Sequence, residues 1–230
     1  EITTSGTPAA LTSCSGTPST STSFNVSASS LTADVAVAAP GGYEVSLSSG
    51  SGYASSVNIP FGSGALNNVP VYVRLSPTAT GSPTGNITLN STGATQKTVA
   101  VSGTVTQVPN VTTHPTAKTI CSGSNTNFSV TATNAASYRW QVNTGSGFVD
   151  INNGGVYSGA TTAVLSITGA SAGMNNYQYR VRLTNGSCTD NSNSATLTVN
   201  TAAAITSNPP TKNVCTGANT TFTVAATGAT

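Results

Sequence analysis

The sequence predicts an all-β chain made of tandem β-sandwich modules. Three observations carry that reading. Short runs with an apolar residue at every second position recur along the chain; turn formers punctuate them at intervals of about 8–12 residues; and one block of residues repeats after 94 positions. Alternation with period two puts every second side chain on one face of a strand. No stretch shows a sustained helical period with caps.

Residues 1–106 read as the first module. Its runs include Phe24 and Val26, Val35 and Val37, then Tyr43, Val45 and Leu47, and later Val71, Val73 and Leu75, Ile87 and Leu89, and Val99, Val101 and Val105. Pro40-Gly41-Gly42 and Thr80-Gly81-Ser82-Pro83 are the kind of turn chemistry that separates strands. Residues 107–200 read as the second module, entered through Val108-Pro109-Asn110. Residues 201–230 open a third. There Pro115, Lys118, Cys121, Phe128 and Ala132 recur as Pro209, Lys212, Cys215, Phe222 and Ala226. Cys14-Ser15-Gly16 echoes Cys121-Ser122-Gly123 more loosely. Thirty residues cannot close a sandwich core, and Glu1 opens without the segments of a signal peptide. The expectation is a portion of a longer chain.

The second module carries the most specific pattern. Phe128, Val130 and Ala132 fall on one strand and Trp140 on the next. Tyr179 and Val181 lie on a late strand, which closes through Asn185-Gly186 into Ala195, Leu197 and Val199. A Trp facing a late Tyr-x-apolar pair is the packing logic of an immunoglobulin-like core. Val130 and Val181 stand where the inter-sheet cysteines of that fold are often found. Val130, Trp140, Tyr179 and Val181 are therefore the expected core, with Tyr179 near the corner of the sandwich.

Composition narrows the function. Only 5% of residues are charged, against roughly 25% in an ordinary globular domain. The net charge of +2 supports neither nucleic-acid binding nor an acidic tail. No apolar run approaches the roughly 18 residues a membrane helix needs. Catalysis finds few candidates. His114, in Thr113-His114-Pro115, is the single histidine, and a lone His before Pro reads as a linker residue rather than a general base. Of the five acidic residues only Asp34 and Glu44 lie near each other in sequence; they could approach across adjacent strands, but a solvated strand face is the reading preferred. Zinc needs about four Cys or His ligands at short spacings, and calcium several carboxylates. No catalytic residue, metal site or cofactor is expected.

Several segments resemble the immunoglobulin-like repeats of very large surface proteins of gliding Gram-negative bacteria, exported by the type IX route. In the second module these are Thr119-Ile120-Cys121-Ser122-Gly123-Ser124-Asn125, Tyr138-Arg139-Trp140-Gln141-Val142, Val156-Tyr157-Ser158-Gly159-Ala160-Thr161-Thr162 and Met174-Asn175-Asn176-Tyr177-Gln178-Tyr179-Arg180. The first module resembles a companion repeat through Leu31-Thr32-Ala33-Asp34, Val71-Tyr72-Val73-Arg74-Leu75 and Val99-Ala100-Val101-Ser102-Gly103-Thr104-Val105. The resemblance implies a non-catalytic stalk or filament of a cell-surface adhesin, linked to gliding or surface attachment. It implies as partners further repeats of the same chain, surface polysaccharide, and outer-membrane anchoring and secretion proteins. Similar repeats also serve as spacers or glycan-binding modules in secreted enzymes.

Two groups of residues are singled out for a role beyond the core. Alternation about Trp140 and Val181 turns Arg139, Gln141, Arg180 and Arg182 outward on adjacent strands. The arginines are expected to form either a contact for an anionic polymer or a charged face that keeps the sheet from stacking on another. The cysteines form the second group. Cys121 and Cys188 share a module but lie at opposite ends of it, on the order of 20–30 Å apart at about 3.3 Å per residue, and a disulfide tolerates roughly 4.4–6.8 Å between Cα atoms. The expected bridge is Cys14–Cys188, clamping adjacent modules, with Cys121 left for the equivalent hairpin of the third.

Overall fold

The computed structural model describes every residue except Ser63, Gly64, Ala202, Ala229 and Thr230. The last three belong to the expected third module and lie outside the described residues. The chain divides into two compact units, one comprising Glu1–Val108 with Asn185–Cys188, the other Pro109–Thr184 with Thr189–Thr230.

The first unit runs β1 (Ile2–Ser5), β2 (Leu11–Cys14), β3 (Thr22–Ala28), β4 (Val35–Ala38), β5 (Tyr43–Ser46), β6 (Ser56–Ile59), β7 (Leu66–Leu75), β8 (Thr84–Asn90) and β9 (Lys97–Thr106). One sheet has the order β1-β3-β7-β5, the other β2-β9-β8-β4-β6. Pairing is antiparallel except between β2 and β9, which run parallel from Leu11↔Gly103 to Cys14↔Thr106. The alternation is plain in β9, where Val99, Val101 and Val105 are buried and Ala100, Ser102 and Thr104 are exposed. Gly103 points inward with them. A Cβ there would stand 2.9 Å from the Leu75 side chain and 3.1 Å from the Leu11 carbonyl oxygen, so this position admits only hydrogen. Pro70 breaks no ladder, because it lies where β7 pairs with β3 alone and β5 joins only from Tyr72.

The second sandwich contains β10 (Asn110–Thr113), β11 (Lys118–Cys121), β12 (Thr126–Ser129), β13 (Thr131–Thr133), β14 (Ser137–Asn143), β15 (Phe148–Asp150), β16 (Tyr157–Ser158), β17 (Val164–Ile167), β18 (Gln178–Asn185), β19 (Cys188–Asn191) and β20 (Ala195–Asn200). The larger sheet has the order β11-β20-β18-β14-β15, with β19 also on β18. Strands β12-β17-β16 and the pair β10-β13 form the opposing layer. As in the first unit, the short early strand is parallel to the last one: β11 pairs with β20, Cys121 lying opposite Asn200. From the third repeat, β21 (Ala204–Ser207) and β22 (Ala225–Thr227) pair antiparallel. Their residues are all exposed.

The expected core is in place. Trp140, Tyr179 and Val181 are fully buried and Val130 nearly so, and Trp140 lies directly opposite Val181 on β18. Two details differ from expectation. Phe128, Val130 and Ala132 do not share one strand: β12 pairs with β17 and β13 with β10. The chain changes partner at Val130, whose N–H turns to the carbonyl of Ala163. Tyr179 does not cap a corner on a backbone acceptor. Its ring stacks on Phe128 with centroids 4.8 Å apart, and its hydroxyl meets that of Tyr157 at 3.1 Å.

Trp140→Ala is expected to cost on the order of 3–5 kcal/mol, as removal of a buried Trp generally does. A denaturant titration of the second sandwich, followed by far-UV circular dichroism, would show it as an early transition. An unmoved midpoint would contradict the central placement of the indole.

Candidate functional site

The carboxylates do not converge. Asp34 lies just before β4 and accepts the Phe61 amide at 2.9 Å. Glu44 lies on β5 in the other sheet and pairs with Arg74 at 2.9 Å. Each therefore has a partner of its own. Arg74 also stacks over Tyr53, 4.0 Å from its centroid. His114 Nδ1 accepts the backbone amide of Asn193 at 3.1 Å, which makes it a loop fastener. Among the described residues no group of three or more His, Cys, Asp or Glu side chains is arranged to hold a metal ion, and no helix is long and apolar enough to cross a membrane.

Arg139, Arg180 and Arg182 do share one sheet face, since Arg139 pairs with Arg182 and Gln141 with Arg180 across β14 and β18. The face is more occupied than alternation alone suggests. Edge strand β15 brings Asp150, which accepts Gln141 Nε2 at 2.7 Å and pairs with Arg182 at 3.2 Å. Arg180 Nε donates to Gln141 Oε1 at 2.9 Å, and its guanidinium lies 4.1 Å from the Phe148 centroid. Arg139 donates to the Ile151 carbonyl at 3.3 Å. Gln141, expected in the open, is only 6% exposed because Arg180 and Asp150 close over it. Asp150 and Phe148 were not anticipated, since a three-residue edge strand leaves no periodic signal.

The segments that carried the family resemblance serve the core. Gly159 adopts φ +74°, and a Cβ there would strike the Val164 carbonyl oxygen. Thr162 Oγ1 donates to the Gly159 and Val164 carbonyls, while the Thr162 carbonyl accepts the Trp140 indole N–H at 2.9 Å. The Ala160 carbonyl accepts the Trp140 amide at 2.9 Å. Asn125 Oδ1 receives the Gly169 amide and Asn175 Oδ1 that of Val199. These are clasps around Trp140 and the last strand, and none presents a reactive group.

One covalent feature stands apart. Cys14 and Cys188 are joined by a disulfide with Cα atoms 5.7 Å apart, closing 174 positions of chain. Both belong to the first compact unit, which takes in the tip Asn185–Cys188. Asn185 Nδ2 fastens the tip by donating to the Gln107 carbonyl at 2.9 Å; around Cys14, Ser15 N–H donates to the Thr106 carbonyl at 2.9 Å and Val108 N–H to Ser15 Oγ at 3.0 Å. Gly186 takes φ +57° at the turn. Cys121 and Cys215 carry free, exposed thiols.

These features define a class of protein, a tandem array of immunoglobulin-like β-sandwiches. A family described as a domain of unknown function (DUF8696) matches residues 110–201. No curated protein matches the chain. Among solved structures the chain is similar to a variant three-Ig fragment of titin, at 12% identity and a TM-score of 0.50, covering 90% of this chain and 69% of that one. It is also similar to tandem Ig repeats of Dlar, at 16% identity and a TM-score of 0.35, covering 87% of this chain and 98% of that one. At such identities the likeness is one of fold.

Two outcomes follow from the buried cluster. Gly159→Ala is expected to destabilise the second sandwich by about 1–3 kcal/mol from the backbone alone, and further through the clash with Val164. Trp140, the single tryptophan, reports it by fluorescence during a denaturant melt; an unchanged midpoint would dispute the clasp. Burial, and then the hydrogen bond with Tyr157, push the Tyr179 phenol well above the ordinary value of 10.0. The unfolded chain therefore loses this proton first, near pH 10, while the folded chain keeps it. Stability from this source is complete below that pH and falls as pH rises above it. Melts at pH 8 and pH 11 check this: Tyr179→Phe should show a smaller alkaline loss than the parent, and an equal loss would refute the assignment.

Proposed function

We propose that the chain is a load-bearing, non-catalytic segment of a large extracellular surface protein, an adhesin or filament whose tandem sandwiches hold a binding tip away from the cell. The observation that carries this reading is covalent. Tension entering at the N-terminus reaches Cys14, crosses to Cys188 and continues towards the C-terminus, so the 174-position loop between them lies off the shortest covalent path. Unfolding of strands inside that loop adds no length to the tensioned path. A disulfide belongs to an oxidising compartment, which supports placement outside the cell. Solvation by Ser, Thr, Asn and Gly instead of charge leaves the surface little affected by salt. The resemblance to repeats of type IX-exported proteins adds gliding or surface attachment to the reading.

Stretching the chain between terminal handles tests it. With the bridge intact, unfolding should release only the segments before Cys14 and after Cys188. Reduction should add about 600 Å of contour length, from 174 positions at about 3.3–3.6 Å each. Equal extension in the two redox states would remove the load-bearing reading.

A further inference from the structure

We infer that Cys14–Cys188 is one rung of a repeating disulfide ladder, in which Cys121 and Cys215 accept the hairpin thiols of the copies that follow. The purpose of the ladder rests on the load-bearing reading; its chemistry does not. The bonded cysteine and the two free ones occupy one design. Cys14 ends a short strand parallel to the last strand of its sandwich, opposite Thr106, and Cys121 does the same opposite Asn200. The residue after each donates its amide to that opposite carbonyl, Ser15 to Thr106 at 2.9 Å and Ser122 to Asn200 at 2.8 Å. Each cysteine carbonyl then accepts the amide three residues on: Thr17 at 3.0 Å, Ser124 at 3.1 Å and, after Cys215, Ala218 at 3.1 Å. The intervening glycines Gly16, Gly123 and Gly217 take φ +83°, +84° and +86°. In the first of these three settings the thiol is bonded to a hairpin cysteine. In the other two it is exposed and free.

On this reading the repeat supplies the occupant of Cys121. Cys215 stands 94 positions after Cys121, so the counterpart of Cys188 falls 94 positions after Cys188, in the copy that opens at Pro209. Joining the two thiols forms one S–S bond and releases two protons and two electrons. The electrons go to a small-molecule or protein disulfide of the oxidising exterior, which is reduced to two thiols. The rungs then overlap. From Cys188 the chain reaches Cys215 in 27 positions, and Cys215 steps to the hairpin of the next copy. One covalent rail thus advances two copies for every 27 residues, with a reach of at most about 90–100 Å. A second rail, through Cys121, runs beside it.

The test uses the natural polypeptide that carries the copy opening at Pro209 in full, secreted and with free thiols alkylated before digestion. Peptide mapping without reductant should recover Cys121 joined to the hairpin peptide of that following copy. An alkylated Cys121, or one joined to Cys215 or to a second chain, overturns the ladder. Stretching gives an independent readout. Between Cys14 and the third copy's hairpin cysteine, Cys188→Ser alone should lengthen the taut path about 1.6-fold, from the 67 positions between Cys121 and Cys188 to the 107 between Cys14 and Cys121, because the Cys121 rail takes over. The double variant Cys188→Ser, Cys121→Ser should lengthen it about fourfold. An almost threefold lengthening from Cys188→Ser alone would show that no second rail exists, and would leave the Cys14–Cys188 shunt of the shorter chain standing.

Discussion

The apolar seam between the sheets of each sandwich is the interaction on which the rest depends, and in the second sandwich one indole organises it. With seven basic and five acidic residues in 230, little electrostatic energy is available to hold the fold. The Arg182–Asp150 pair, with both side chains 43% exposed, is worth about 0–1 kcal/mol in such a setting. Burial of a Trp side chain is worth several times that. Trp140 stands between Phe128, with centroids 6.5 Å apart, and Val181, its partner across the ladder. The indole N–H is the polar handle that burial must satisfy, and the Thr162 carbonyl does so. Thr162 in turn fastens the turn at Gly159, so the hairpin before β17 and the core of the larger sheet are specified together.

Much of this was legible because the signal has the period of the structure. The alternations about Trp140, Val181 and Val99 correctly assign inward and outward faces, since a strand has only two. The break at Val130 was not legible. Both halves keep the same alternation, and only the identity of the partner strand changes. The burial of Gln141 escaped for a related reason: alternation tells which face a side chain leaves by, and not what a neighbouring edge strand lays over it.

The disulfide was legible through topology rather than spacing. Strands on either side of an immunoglobulin-like core have known directions, so Cys121 and Cys188 could be assigned to opposite ends before any distance was measured. The hydrogen bond that seats the hairpin tip, from Asn185 to the Gln107 carbonyl, and those around Cys14, from Ser15 and Val108, could not be read in advance. They join residues up to 93 positions apart, and none of those side chains is unusual in a chain so rich in Ser and Asn.

The position of Cys14 within its sandwich has a mechanical meaning of its own. Only β1 and β2 precede it. Four register pairs hold β1 on β3 and four hold β2 on β9, so these are the strands that tension from the N-terminus loads before it reaches the bridge. Peeling them would expose Ile2 and Leu11 and unravel thirteen residues at most, after which the covalent bond takes the load. Strands β3 to β9, with Phe24, Val73 and Ile87 in their core, stay on the slack side. A cysteine placed late in the sandwich would put that core in the path. A carboxylate cluster binding a cation would guard it only while the ion stayed bound, and a salt bridge only to the extent that screening allowed. For a chain with so few charges, a thiol at the end of the second strand protects the core by position, at the cost of one residue.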